Sequence, residues 1–259
     1  MLKKASFMGA FFCLLFTQTY ALASFCPPPV GVAEFFVSNV IDGDTLRLQD
    51  GRRIRLIGID TPELGGRGRV TQPYADKARQ HLAERIKANG NKVGVSIGEQ
   101  SHDRYGRVLA HIYDQAGVSL EEQLIAAGLA YHVVIAPNVA LAQCLAQAES
   151  KARIKGIGLW KNAAFISAQH IKTAGFTLLQ GRIRSVERNS AGVWLELGHS
   201  AVINIPSAAL HYFTENQSLE SLVGRKVQAR GWISERKSQQ HKYAKWRLTV
   251  SYPSMLELK

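Results

Sequence analysis

The sequence predicts an α+β, mainly β chain built from two small β units, the first carrying three helices. Three observations point there. Short runs of alternating character, separated by Gly, Asp and Asn turns, recur between residues 34 and 113. Apolar residues at helical spacing are concentrated before residue 157. Beyond residue 175 the helical pattern fades and five more strand-like runs follow, enough for a small closed barrel.

Residues 1–23 have the layout of a cleavable signal peptide. Lys3 and Lys4 precede an apolar stretch over 7–16, and Ala21-Leu22-Ala23 is a small-x-small cleavage site that leaves Ser24 as the first mature residue. The stretch is too short for a comfortable membrane span. The expectation is a periplasmic or secreted protein with no membrane attachment after cleavage. Residues 24–32 form an N-terminal extension stiffened by Pro27-Pro28-Pro29.

A first strand over 34–41 runs into Asp42-Gly43-Asp44-Thr45. Residues 45–48 alternate, Asp50-Gly51 turns the chain, and 53–57 alternate again. That second alternation sets Arg53 and Arg55 on the face opposite Ile54 and Leu56, so Arg55 projects from a rigid mount. Residues 64–73, rich in Gly, Arg and Thr, read as a mobile basic loop. Ala78, Leu82 and Ile86 mark a helix ended by Asn89-Gly90. Strands follow over 93–97 and 108–113. Ser119-x-x-Glu122 is a capping box for a second helix closed by Gly128. Asn138 is placed to cap a third, whose Leu141, Leu145, Ala148 and Ala152 share a face up to Gly156-Ile157-Gly158. The division expected is one unit over 33–162, a linker over 163–174 and a second unit over 175–259. Strands of the second unit are expected over 176–186, 192–197, 201–205, 227–233 and 247–251, with a turn or helix near 208–213.

Of the 259 residues, 46% are hydrophobic and 20% charged, a globular composition with ample core material. There is no low-complexity tract and no repeat. Lys and Arg number 32 against 20 Asp and Glu, a net charge of +12 that favours polyanionic partners. Cys13 leaves with the signal. Cys26 and Cys144 remain, either a disulfide in an oxidising compartment or two thiols; neither sits in a ligand-spaced cluster. His102, His111 and His132 lack metal-ligand spacing and read as surface or packed histidines.

Chemistry concentrates in Asp42-Gly43-Asp44-Thr45 and in residues 55–63. Asp44, Asp60 and Glu63 are oxygen-only donors, which suit a hard cation such as Ca²⁺ rather than zinc. Arg55 among them suits a phosphate. A metal, a base and a guanidinium around a phosphate make a phosphodiesterase site.

These stretches, with Asp103-Arg104-Tyr105-Gly106-Arg107, residues 120–129 and the Gly-x-Trp at 158–160, resemble the staphylococcal nuclease (thermonuclease) family in order and interval. The resemblance covers roughly residues 33–162. It implies a five-stranded oligonucleotide-binding (OB) type barrel with three helices. It also implies Ca²⁺-dependent hydrolysis of DNA and RNA, endonucleolytic, with products ending in a 3′-phosphate. By motif position Asp44 and Asp60 resemble the direct metal ligands and Thr61 the backbone-carbonyl ligand, with Asp42 a nearby second carboxylate. Glu63 resembles the residue that orients or deprotonates the attacking water. Arg55 and Arg107 resemble the phosphate-binding arginines. Arg104 and Tyr105 resemble the contacts to a terminal phosphate, although the family often has Lys where Arg104 stands. No stable protein partner is implied, and a monomer is expected. The alternative is a catalytically inactive nucleic-acid-binding protein on the same fold.

The chain departs from the family in two places. The family's tyrosine pair, which packs on base and sugar, lies in the loop before the last helix. Here that loop reads Tyr131-His132-Val133-Val134-Ile135-Ala136-Pro137, with tyrosine only at Tyr131, shifted toward the preceding strand, so the resemblance does not by itself imply base stacking or a base preference. The 64–73 loop also diverges, with Arg67 and Arg69 as substitute backbone contacts. In the second unit, which resembles an appended OB-like barrel, Trp194, Trp232, Tyr243 and Trp246 mix with Arg230, Arg236, Lys237, Lys242 and Lys245. Two readings stay open there: a surface that stacks single-stranded nucleic acid, or barrel core with lysines defending an edge strand.

Overall fold

The computed structural model describes residues 26–66, 68–198, 200–213, 218–236 and 243–259. The signal peptide, Cys13, Arg67, Lys237 and Lys242 lie outside the described residues. The first unit contains β1 (Ala33–Val40), β2 (Thr45–Leu48), β3 (Arg53–Leu56), β4 (Ile59–Asp60), α1 (Ala75–Ala88), β5 (Lys92–His102), β6 (Val108–Tyr113), α2 (Leu120–Ala126), β7 (Tyr131–His132) and α3 (Ala142–Ile154). Five strands close a barrel in the order β1-β2-β3-β6-β5, antiparallel except for β3 beside β6. The predicted alternation holds on β3: Ile54 and Leu56 are fully buried, while Arg53 and Arg55 face outward. Leu46, Leu48, Val93 and Ile112 fill the same core.

The three α-helices pack against the barrel, α1 and α3 through the predicted stripes and α2 through Leu120, Leu124 and Ile125. On α1 the buried residues are Ala75, Ala78, Leu82 and Ile86. The Ser119 hydroxyl accepts from Glu122 N at 3.1 Å, which satisfies one of the open donors of the first turn of α2. Asn138 does not cap α3. The helix begins four residues later, with Leu141 at its cap position, and the Asn138 amide instead bonds both backbone groups of Gln100, at 2.9 and 3.1 Å. A strand with open backbone groups competes for that side chain and wins. Cys26 and Cys144 form a disulfide, Cα atoms 5.4 Å apart, that ties the N-terminal extension to α3.

The second unit comprises β8 (Ile166–Ser167), β9 (Gly175–Arg182), β10 (Ser185–Asn189), β11 (Gly192–Glu196), β12 (Ala201–Pro206), β13 (Lys226–Glu235), β14 (Trp246–Thr249) and β15 (Leu256–Leu258). Its sheet runs β10-β11-β12-β14-β13-β9-β8, with β15 also on β13. The strands β10 and β9 are consecutive pieces of one chain, bent at Ile183-Arg184. There Ile183 N donates to Arg225 O at 3.0 Å and Arg184 N to Glu196 O at 2.7 Å. The bend brings the sheet round on itself, and β12 lies parallel to β14 as β3 lies parallel to β6. The unit is therefore a second OB-like barrel. The stretch 163–174, expected as a linker, contributes β8 alongside β9.

The two units dock directly. Val133, Val134 and Ala142 of the first join the apolar core of the second. Ala136 N donates to Ser251 Oγ at 3.1 Å, and Ser251 Oγ donates to Val134 O at 3.0 Å. Burial, then the nearby Arg230 charge, pushes His132 down to about 3; its ring nitrogens lie 3.1 Å from Gly58 O and 3.0 Å from Ser254 Oγ. Among the described residues no helix is long and apolar enough to cross a membrane.

Candidate active site

The site is assembled at one end of the first barrel from three local structures. The β1–β2 turn supplies Asp42 and Asp44. Its Gly43 is pressed so close to α1 and Thr61 that an added Cβ would lie 2.7 Å from Ala78 Cβ and 2.8 Å from Thr61 Oγ1. Only a residue without a side chain fits there. The β3 strand supplies Arg55. The two-residue pair of β4 with β7 fixes Asp60 opposite Tyr131.

Arg55 joins the two aspartates. Its Nη1 lies 3.0 Å from Asp44 Oδ2 and its Nη2 3.4 Å from Asp60 Oδ1. The same nitrogens donate to Leu56 O at 2.6 Å and Ile59 O at 3.2 Å. Asp44 is buried and further held: Thr61 N and Oγ1 donate to its Oδ2 at 3.2 and 3.0 Å, and Thr45 Oγ1 donates to its Oδ1 at 3.0 Å. Asp42 Oδ1 accepts from Asp44 N at 3.0 Å.

Crowding of like charge marks this cluster. Burial, then repulsion from Asp44, pushes Asp42 up to about 6. Burial pushes Asp60 up to about 7 against the pull of Arg55, with added repulsion from Asp44, Glu63 and Asp42. One guanidinium does not balance this many carboxylates. The donor set is all oxygen with an excess of negative charge, which fits a hard dication. Among the described residues, however, no three acidic, His or Cys side chains converge as a ready metal cage, because Asp44 and Asp60 close on Arg55.

Arg107 approaches from the β5–β6 turn. Its Nε donates to Asp103 Oδ2 at 2.7 Å, and its Nη1 to Thr45 Oγ1 at 3.4 Å. Thr45 thus links Arg107 to Asp44. Tyr105 is 59% exposed beside Arg107, with the Arg107 guanidinium 5.7 Å from its ring centre. Arg104 lies over the same ring at 4.8 Å and donates to the Tyr105 hydroxyl at 2.6 Å. Glu63 is exposed; its backbone is clipped to Gln72 by bonds of 2.8 and 3.0 Å.

Asp42, Asp44, Asp60, Thr61 and Arg55 therefore form one cluster, with Arg107 joined through Thr45 and Glu63 within electrostatic range of Asp60. Arg104 and Tyr105 sit on the exposed turn flanking Arg107. The hydroxyl of Thr45 and the carboxylate of Asp103 were not foreseen in these roles, although both lie inside the motifs. Tyr131 is a further neighbour: burial, then the Asp60 charge, raises its phenol above the ordinary range.

The C-terminal aromatics and cations divide. Trp246 belongs to the second core, and Arg230 is buried in ion pairs, so neither is part of an exposed strip. Arg236 lies between Trp194 and Tyr243, 4.9 and 5.0 Å from their ring centres.

Similarity to known proteins falls on the first unit. The family model described as staphylococcal nuclease homologue matches residues 53–162. A thermonuclease of Staphylococcus hyicus is 33% identical over 129 residues, 49% of this chain and 75% of that protein. A thermonuclease of Staphylococcus intermedius is 32% identical over 133 residues, 49% of this chain and 76% of its own. An uncharacterized endonuclease of Escherichia coli is 30% identical over 130 residues, again 49% and 76%.

Proposed function

The chain belongs to the family of staphylococcal nuclease homologues, and from that premise we propose that it is an exported nuclease that cleaves DNA and RNA internally, with Ca²⁺, leaving 3′-phosphate ends. The observation that carries this reading is Arg55 held between Asp44 and Asp60, with Arg107 tied to the same cluster through Thr45. Carboxylates and guanidiniums converge on one end of a barrel, which is what hydrolysis of a phosphodiester needs.

In this reading water attacks phosphorus on the side opposite the 5′ oxygen. The new P–O bond forms as the P–O5′ bond breaks, and the departing O5′ takes a proton from solvent, leaving a 3′-phosphate and a 5′-hydroxyl. Glu63, exposed beside Asp60, accepts or aligns the water proton. Arg107, oriented by Asp103, presents its planar fork to the phosphate oxygens and stays ionised. Arg55 reaches a phosphate oxygen in competition with Asp44 and Asp60, so substrate binding loosens its grip on both. When bound, Ca²⁺ would be held by Asp44, Asp60 and the Thr61 carbonyl and would supply charge against the developing oxyanion. Arg104 and Tyr105 flank the phosphate from the exposed turn. The protein acts as a monomer without a stable protein partner.

The test is a time course on circular and linear DNA with Ca²⁺ titrated in and a chelator control. Nicking of circles that chelator abolishes is expected. Glu63→Gln and Arg107→Ala should each lower kcat/KM by about 10²–10³. Salt-sensitive retention on DNA with no cleavage under Ca²⁺, Mg²⁺ or Mn²⁺ would instead mark a non-catalytic binder.

A further inference from the structure

The outer face of the β9–β13 pair is mostly covered by the first unit. Leu178 packs with Ala152 and Trp160, and Arg230 is buried against Glu149. At one end the covered residues are aromatic, Phe176 packing with Tyr131 against the same cluster, and the outermost, Trp232, extends past that contact. Phe176 and Trp232 are cross-strand partners in the β9–β13 ladder, with ring centres 5.7 Å apart in edge contact. Phe176 stacks on Tyr131 at 5.1 Å with the ring planes 24° apart. Tyr131 stands directly opposite Asp60 in the β4–β7 pair. Opposite residues of an antiparallel pair project to the same side. The three rings thus form a row that begins beside the carboxylate cluster and ends at Trp232.

Rings that only glue two units together close over one another. The outermost ring here remains 39% exposed, although a tryptophan gains from burial. Its neighbours along the row lead to Arg55 and the aspartates, where a phosphate would bind. An aromatic row whose outer end is exposed and whose inner end meets a phosphate site matches a chain of alternating phosphates and flat bases.

We propose that Tyr131, Phe176 and Trp232 form a base-stacking platform for the cleavage site, so that the second barrel supplies part of the substrate surface and favours unpaired polynucleotide. The inference rests on the nuclease reading above. Duplex hides the faces of its bases in its own stack, whereas a single strand offers them to the rings. The same platform accepts any base, since every base has a flat face.

The experiment uses the full chain with chelator present to stop cleavage. Labelled oligothymidylate and a duplex of the same length are titrated by fluorescence anisotropy. Trp232→Ala should weaken single-strand binding by about tenfold or more and leave duplex binding unchanged. Trp232→Phe should restore most of the loss. With Ca²⁺ added, Trp232→Ala should raise KM for single-stranded DNA while kcat holds. Trp232 is exposed, so the variant is expected to fold, and its circular dichroism checks this. If the chain cleaves while Trp232→Ala binds single strands normally, or loses both substrates equally, the platform is overturned and the nuclease reading stands. A chain that neither cleaves nor binds single strands overturns both.

Discussion

Arg55 stands between Asp44 and Asp60 at the barrel end; Arg230 stands between Glu149 and Glu257 where the two units meet. Each is a guanidinium facing two carboxylates, Arg230 buried and Arg55 partly so, yet their surroundings differ. At the interface further cations join: Arg153 and Lys259 both pair with Glu257. Burial alone would raise Glu257, but the Arg153 hydrogen bond and the Arg230 charge outweigh it and hold the carboxyl below its ordinary range. At the barrel end the surplus is acidic. Asp42 and Glu63 crowd the same pair, and Asp60 is pushed up to about 7. The interface cluster is neutralised and closed, as a structural contact requires. The barrel-end cluster carries uncompensated negative charge, as the proposed metal role would require.

The largest effect should come from breaking the balanced cluster. Arg230→Ala leaves Glu149, whose Oε1 accepts from His132 N at 2.8 Å, buried without its cation. A loss of about 3–5 kcal/mol is expected in urea denaturation. A loss under about 1 kcal/mol would mean that the two clusters are not different in kind.

Neutralising the unbalanced cluster should act in the opposite direction. The folded-state value for Asp60 lies above its unfolded value. Its contribution to stability is therefore fully present below about pH 4 and is lost as pH rises through about 7. At pH 8, Asp60→Asn should stabilise the metal-free chain by about 1–3 kcal/mol while cleavage falls by at least about 100-fold. Ca²⁺ should raise the melting temperature of the parent chain at pH 8 and leave that of Asp60→Asn nearly unchanged. Destabilisation by Asp60→Asn at pH 8 would show that Arg55 already balances the site.

Much of the barrel-end cluster is legible in sequence because its parts are local. Alternation over 53–57 is enough to send Arg55 outward, and 19 residues contain Asp42, Asp44 and Asp60. What the sequence hides is what pairs at a distance. Strands of two residues, such as β4 and β7, have no measurable period, so the placement of Tyr131 opposite Asp60 is invisible. Glu149 lies within a helix whose apolar stripe was foreseen, yet its partner Arg230 is 81 residues away in the other unit. Asn138 has the right type and position for a cap, and loses that role to a strand 38 residues earlier. The closure of the second barrel is legible from strand count; its docking face, with Phe176 stacked on Tyr131 of the first unit, is not.

The smallest effect tests whether the interface cluster is as redundant as its surplus of cations implies. Glu257 keeps 30% of its side chain exposed and is contacted by Arg153, Arg230 at 2.7 Å and Lys259 at 3.2 Å. Glu257→Gln removes one carboxylate but leaves Arg230 its bond to Glu149 and its bond to Ser254 O at 3.0 Å. Arg153 retains Gln228 and the ring of Trp160. With partial exposure and solvent screening, the expected cost is about 1 kcal/mol, shrinking in high salt. A double-mutant cycle with Arg153→Ala should give a coupling of about 0.5–1 kcal/mol. A loss from Glu257→Gln as large as that from Arg230→Ala would show that the cluster depends on both carboxylates equally, and that its surplus of cations leaves no slack.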